Sequence, residues 1–308
     1  MLNDLLDIKY PIIQGGMANI ATGKFAAAVS NAGALGVIAT GGFSADEVRE
    51  HIRETRELTD KPFGVNVMLM HREVAEIAKI IAEERVSVVT TGAGDPSPYV
   101  EMWKNAGIKV IPVVAASALA KRMERAGADA IIAEGTESGG HVGELTTMAL
   151  VPQVIETVSL PVIAAGGIAS GGQLLAAFAL GAIGAQVGTI LLASPECPIH
   201  ENYKQAIIAA HDRGTTVTGR AAGAPVRALK NRMTQEYQRL EKDGTDKEAL
   251  EELTLGALRR AVYDGDTKMG SMMAGQVAGQ IKTIRPVSEI LATLMAELED
   301  AKKRVASL

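Results

Sequence analysis

Short apolar runs alternate with longer stretches of mixed polarity through most of the chain. YPIIQG (10–15), LGVIAT (35–40), FGVNVML (63–69), VSVVTTG (86–92), KVIPVV (109–114), DAIIAEG (129–135), PVIAAGG (161–167) and AQVGTI (185–190) are each brief and bounded by polar or turn residues. That is the pattern of strands buried on both faces. Between them lie helix-length segments over 21–32, 72–85, 97–106 and 117–126, and one that opens at Ser44 with Asp46 and Glu47 in its first turn. Eight such strands, nearly all followed by helices, predict a closed (β/α)8 TIM barrel, an α/β fold. An open doubly wound sheet is the competing fold. It more often places a G-x-G-x-x-G loop after its first strand, whereas QGGMANIATG lacks one and the richest glycine loops come late.

After Leu192 the pattern changes. Residues 198–265 contain no convincing strand and carry polar helical stretches such as KNRMTQEYQRLEKDG. A helical, substrate-side insertion is therefore expected over 196–270, with the barrel built from 1–195 and 271–308. The amphipathic segment 287–306 is expected to be the eighth outer helix. The helix within 170–181 lacks a charged outer face, so a second subunit (making a homodimer) or the C-terminal segment should cover it. No charged residue occurs from Thr157 to Pro195, but Pro161 and repeated glycines cut that run into strand- and helix-sized pieces, so no membrane span is expected.

Composition narrows the function. Of 308 residues, 47% are hydrophobic and 22% charged, enough for a large core. A net charge of −5 and one Trp, five Tyr and four Phe argue against nucleic acid as the partner. Cys197 is the only cysteine, so no internal disulfide can form and a zinc site built on cysteines is not expected. No H-x-H, H-E-x-x-H or aspartate cluster follows a strand, so no catalytic metal is expected, and G-x-S-x-G is absent. Asp4, Asp7 and Lys9 interrupt the N-terminal run, which does not read as a signal peptide, and a cytoplasmic setting is expected.

Barrel enzymes keep their chemistry at the C-terminal ends of the strands. There the chain places Gly16 and Met17 after the first strand, Asn66 in the third and Glu134 at the end of the sixth. Ala165, Gly166 and Gly167 end the seventh, and Gln186, Gly188 and Thr189 lie in the eighth. Two consecutive late glycine loops suit a phosphate, because glycines bare backbone N–H groups; the plainer alternative is tight turns alone. His141 follows Gly139 and Gly140 in a connection longer than a turn, where an imidazole can exchange a proton near neutral pH; otherwise it is a plain surface histidine. Asn66 and Gln186 suit the edge of a planar polar ring, or else satisfy each other inside the barrel.

YPIIQGGMA, KPFGVNVML, AEGTESGGHVG, PVIAAGGI and AQVGT together resemble the nitronate monooxygenase superfamily. VVTTGAGDPSPYVEMWKNAGIKVIPVV, VRALKN and SMMAGQVAG make the chain most similar to its enoyl-acyl-carrier-protein reductase branch in bacterial fatty-acid synthesis. The resemblance implies bound FMN, NADH or NADPH as co-substrate, a monovalent cation in some members, and an acyl-carrier-protein or CoA enoyl thioester as substrate. It implies His141 as the catalytic histidine, donating a proton or polarising the thioester carbonyl. It makes Gly16, Met17, Asn66, Glu134, Gly139, Gly140, Ala165, Gly166, Gly167, Gln186, Gly188 and Thr189 the flavin's surroundings. Nitronate oxidation with FMN and oxygen is the alternative, and a non-catalytic FMN-binding protein a further one. An inosine-monophosphate-dehydrogenase-like reaction needs a cysteine after the sixth strand, where none lies. Arg227, Lys230 and Arg232 form a basic cluster that could dock an acidic carrier protein, or simply face solvent.

Overall fold

A computed structural model describes residues 1–307. Eight strands form one parallel sheet: β1 (Ile12–Gln14), β2 (Gly36–Ala39), β3 (Phe63–Met68), β4 (Val88–Gly92), β5 (Lys109–Val114), β6 (Ile131–Glu134), β8 (Val162–Ala165) and β9 (Ala185–Val187). The intervening β7 (Gly140–His141) belongs to a second, smaller sheet. Neighbours run β1-β9-β8-β6-β5-β4-β3-β2, and a parallel bridge between Ile13 and Leu35 closes the ring. Gln14 N donates to Leu35 O and Leu35 N to Ile12 O, each at 2.9 Å. The fold is therefore a TIM barrel and not an open sheet.

The short α1 (Leu2–Leu6) precedes the barrel. The outer helices are α2 (Gly23–Asn31), α3 (Ala45–Leu58), α4 (Val74–Glu83), α5 (Ser97–Asn105), α6 (Ser117–Arg125), α7 (Thr147–Thr157) and α8 (Gly171–Ala179). Their starts follow local chemistry. Ser44 accepts from Glu47 N while the Glu47 carboxylate returns to Ser44 N, a reciprocal cap. After β9 the chain runs through α9 (Thr189–Leu192), α10 (Glu201–Ile208), β10 (Thr215–Thr218), β11 (Val226–Leu229), α11 (Arg232–Lys242), α12 (Lys247–Thr254) and α13 (Ala257–Arg259) before α14 (Val287–Ala306).

As expected, α14 is the eighth outer helix, packed between α8 and α2. It covers one flank of the charge-poor α8: a Cβ on Gly171 would lie 2.1 Å from Leu298 N, and Gly171 N donates to the Glu297 carboxylate at 2.9 Å. The expectation of a strandless segment over 198–265 is corrected. β10 and β11 form an antiparallel hairpin, and β11 also pairs with β7. Four-residue strands are too short for a clear period of two, and a charged residue, Arg227, sits in the middle of one.

Inward-facing Ile13, Val37, Val88, Ile111, Ile132 and Ile163 fill the barrel. α1 closes its lower end: Leu2 and Leu6 join that cluster, and Leu2 N donates to Ile183 O at 3.0 Å. With the bottom plugged, only the C-terminal rim is open for chemistry. Among the described residues no helix is long and apolar enough to cross a membrane. Leu2 is fully buried, so Leu2→Ala should cost about 2–4 kcal/mol in denaturant unfolding. A loss under about 1 kcal/mol would contradict the plug.

Candidate active site at the barrel mouth

Strand register sets the rim. Glu134 pairs with Ala165 and Ala165 with Gln186, which lines these three up across β6, β8 and β9. Asn66 pairs with Thr90, and its Nδ2 donates to Thr90 Oγ1 at 2.9 Å. The two amides do not satisfy each other. Gln186 is 7% exposed, and its Oε1 has no hydrogen-bond partner among the described residues. The loop after β1 folds down onto this rim. A Cβ on Gly16 would lie 2.3 Å from the Asn66 side chain, so only glycine fits there, and a Cβ on Gly188 would meet Met17 Sδ at 3.6 Å.

The loop after β6 carries the histidine. Gly140 and His141 pair antiparallel with Arg227 and Val226, and Val142 N donates to Pro225 O at 3.1 Å. Arg227 lies behind them, 6% exposed, donating from Nε to Thr136 O at 3.0 Å and from Nη1 to Thr215 Oγ1 at 3.2 Å. Burial, and then Arg220, hold its pKa below the usual guanidinium range, while Glu137 opposes them. His141 itself is exposed. Arg227 is thus an internal tie and not part of a docking patch; Lys230 and Arg232 alone remain exposed, so the predicted cluster of three does not form. The segment before α14 closes the far side, since Gly139 would strike the Ala274 backbone if it carried a Cβ.

The glycine turns after β8 and β9 lie next to this loop. Gly166 and Gly167 have φ of +91° and +74°, values that side chains resist. A Cβ on Gly166 would lie 2.8 Å from Gly135 O. Thr189 Oγ1 accepts from Gly275 N at 2.9 Å, which leaves its own hydrogen free to donate.

Glu137, which no motif singles out, joins these pieces. Its carboxylate accepts from Thr147 N at 2.9 and 3.0 Å, and Thr147 Oγ1 lies 2.9 Å from Gly166 O. Glu137 O accepts from Gln276 N at 2.9 Å. The only available signal was an acidic residue shortly before a helix start.

Burial pushes the Glu134 pKa up to about 7, with the Ser138 hydroxyl opposing the shift. Ser138 Oγ is itself buried and without a hydrogen-bond partner of good geometry. Cys197 is buried away from this chemistry, and burial pushes its thiol up to about 12, so it is no nucleophile at neutral pH. No three His, Cys, Asp or Glu side chains gather around a metal position among the described residues.

The nitronate monooxygenase family model matches residues 1–84 and 76–297. The chain belongs to the nitronate monooxygenase family. A probable nitronate monooxygenase of Staphylococcus aureus is 34% identical, over 96% of each chain. The structure is similar to FabK from Thermotoga maritima, with 47% identity and a TM-score of 0.97 over 99% of this chain and 98% of that one. It also resembles a nitroalkane oxidase from Streptomyces ansochromogenes, with 29% identity and a TM-score of 0.87 over 99% of each. Family membership makes the chain a flavin-dependent oxidoreductase.

Glu134 links the rim to stability. An unfolded carboxyl titrates near 4.5 and this one near 7, so between those values the folded protein keeps a proton that the unfolded chain has lost. Its contribution is full below about pH 4.5 and is lost as pH rises through 7. Glu134→Gln never ionises and should therefore gain on the native protein with rising pH, by up to roughly 3 kcal/mol at pH 8.5. Unfolding of ligand-free protein at pH 4.5, 6 and 8.5 checks this; a difference that does not vary with pH would contradict it.

Proposed function

We propose that the protein reduces trans-2-enoyl thioesters of acyl carrier protein or CoA, using FMN and NADH or NADPH. The similarity to FabK carries this reading, because it exceeds that to the nitroalkane oxidase in both identity and TM-score over the same length. The rim fits a flavin on its own evidence. Gln186 Oε1 is buried and lacks a partner, and a polar atom left so is costly unless a ligand satisfies it.

Gly166, Gly167, Gly188 and Thr189 would hold the phosphate, through backbone N–H groups and the Thr189 hydroxyl. Asn66, Gln186 and Glu134 would meet the polar edge of the ring, with Met17, Gly16, Ala165, Gly139 and Gly140 packed about it. When bound, FMN supplies the hydride chemistry.

The chain's own part is binding, orientation and the proton. In balance, an enoyl thioester, NAD(P)H and a proton give the saturated thioester and NAD(P)+. His141, presented on β7, donates from its imidazole N–H to the thioester carbonyl oxygen, where negative charge develops as the β-carbon accepts hydride. The same group can then deliver a proton to the α-carbon. The pairing of β7 with β11 holds the backbone from which that side chain extends.

Nitronate oxidation is the second reading, favoured by the Staphylococcus aureus relative. Anaerobic titration with NADH or NADPH followed by crotonyl-CoA separates the two. Rapid reoxidation by crotonyl-CoA is expected for the reductase; reoxidation only by oxygen, with turnover of a nitronate, would overturn it. His141→Ala should keep the flavin but lower kcat on crotonyl-CoA by about 100- to 1000-fold. Unchanged turnover in that variant would remove the histidine from the mechanism.

A further inference from the structure

A groove of about 470 Å³ lies between the loops after β2 and β3. Phe43, Met68 and Met70 form its apolar wall, and His71 and Arg72 lie at its polar end. Met70 is 78% exposed, unusual for a large apolar side chain that serves only the fold.

The groove opens from the mouth just described. Met68 lies two residues beyond Asn66 on β3 and so faces the same way. A Cβ on Gly41 would meet Met68 Sδ at 3.6 Å, and Gly41 O accepts from Asn19 N in the loop that carries Gly16 and Met17. The segment after α12 borders the far side: the Tyr263 hydroxyl donates to Asn19 O at 3.1 Å, and Arg259 stacks over the Tyr263 ring at 5.0 Å.

Arg72 and Glu73 both line this groove. Arg72 is exposed and makes no ion pair among the described residues, nor does Arg259. The neighbouring carboxylates keep their charge but accept from backbone donors and not from Arg72. Glu73 accepts from Ala45 N at 2.8 Å, and Glu47 closes the Ser44 cap. His71 Nδ1 accepts from Glu73 N, leaving Nε2 without a partner. An apolar trough that leads from the reaction mouth to an arginine without an ion pair matches an elongated organic chain ending in a phosphate.

We infer that this groove receives the phosphate-bearing arm of a substrate, its chain on Phe43, Met68 and Met70 and its phosphate on Arg72. The inference rests on the flavin-reductase reading. A reduced dinucleotide and a phosphopantetheine thioester share this chemistry.

The test uses the full-length protein loaded with FMN, as native, Arg72→Ala and Arg72→Lys forms. Calorimetry measures binding of coenzyme A, NAD+ and NADP+, and steady-state assays measure KM for crotonyl-CoA and for crotonyl-N-acetylcysteamine, which has no phosphate. Arg72→Ala should weaken at least one phosphate-bearing ligand by about 10- to 100-fold, and Arg72→Lys should recover part of that loss. The phosphate-free thioester should keep its KM within about twofold. Weakening confined to coenzyme A assigns the thioester arm, weakening confined to the dinucleotides assigns the cofactor arm, and weakening of both assigns a shared site. Equal binding in all three forms, equal loss with the phosphate-free thioester, or a native protein that binds none of these ligands would overturn the inference. If the native protein oxidises NAD(P)H but ignores enoyl thioesters, the reductase reading fails, while the dinucleotide titrations still decide the role of Arg72.

Discussion

Two antiparallel residue pairs, Gly140 with Arg227 and His141 with Val226, hold the functional end of the molecule in shape. A closed barrel fixes where its strands end, but it does not fix a long connection rich in glycine. Left alone, the loop after β6 would sample many conformations, since glycine loses more backbone freedom on ordering than any other residue. The β10–β11 hairpin meets that cost by adding the loop as a third strand. Arg227 completes the attachment: its guanidinium loses solvation on burial and regains hydrogen bonds at Thr136 O and Thr215 Oγ1. The excursion after β9 therefore contributes to the site's geometry even though it lies outside the ring.

The rim above the barrel core is built against its own stability. Glu134 is held where a carboxylate is poorly solvated, and Gln186 keeps a buried oxygen without a partner. Proteins seldom leave such groups unpaired except where a ligand completes them. Gly166 and Gly140, at φ of +91° and +79°, take backbone shapes there that other residues resist. The bottom of the barrel, by contrast, is sealed by Leu2 and Leu6 within a packed apolar cluster. Stability and chemistry are thus divided between opposite ends of the same strands.

The barrel was legible in the sequence because each strand is a compact apolar run between turn residues, and the last helix was read at 287–306, the residues that form it. The rim residues could be found for a related reason: once the strands are placed, their C-terminal ends follow. The hairpin could not be read. TTVT and VRAL are too short for a period to register, and VRAL also pairs with Gly140 and His141, 85 residues away or more. Arg227 was misread because a charge beside Lys230 and Arg232 looks solvated until the hairpin turns it inward. Glu137 escaped notice because its value lies in three contacts, to Thr147, to Gln276 and beside Gly167, that exist only after folding.

On the proposed reading the hairpin holds the His141 imidazole over a flavin seated on the late glycine turns. A crystal structure of the protein with FMN bound is the decisive measurement. The expected result is phosphate against Gly166, Gly167, Gly188 and Thr189, the ring edge against Gln186 and Glu134, and the imidazole facing the ring from β7. Flavin bound elsewhere, or β7 detached from β11 with His141 turned into solvent, would contradict it.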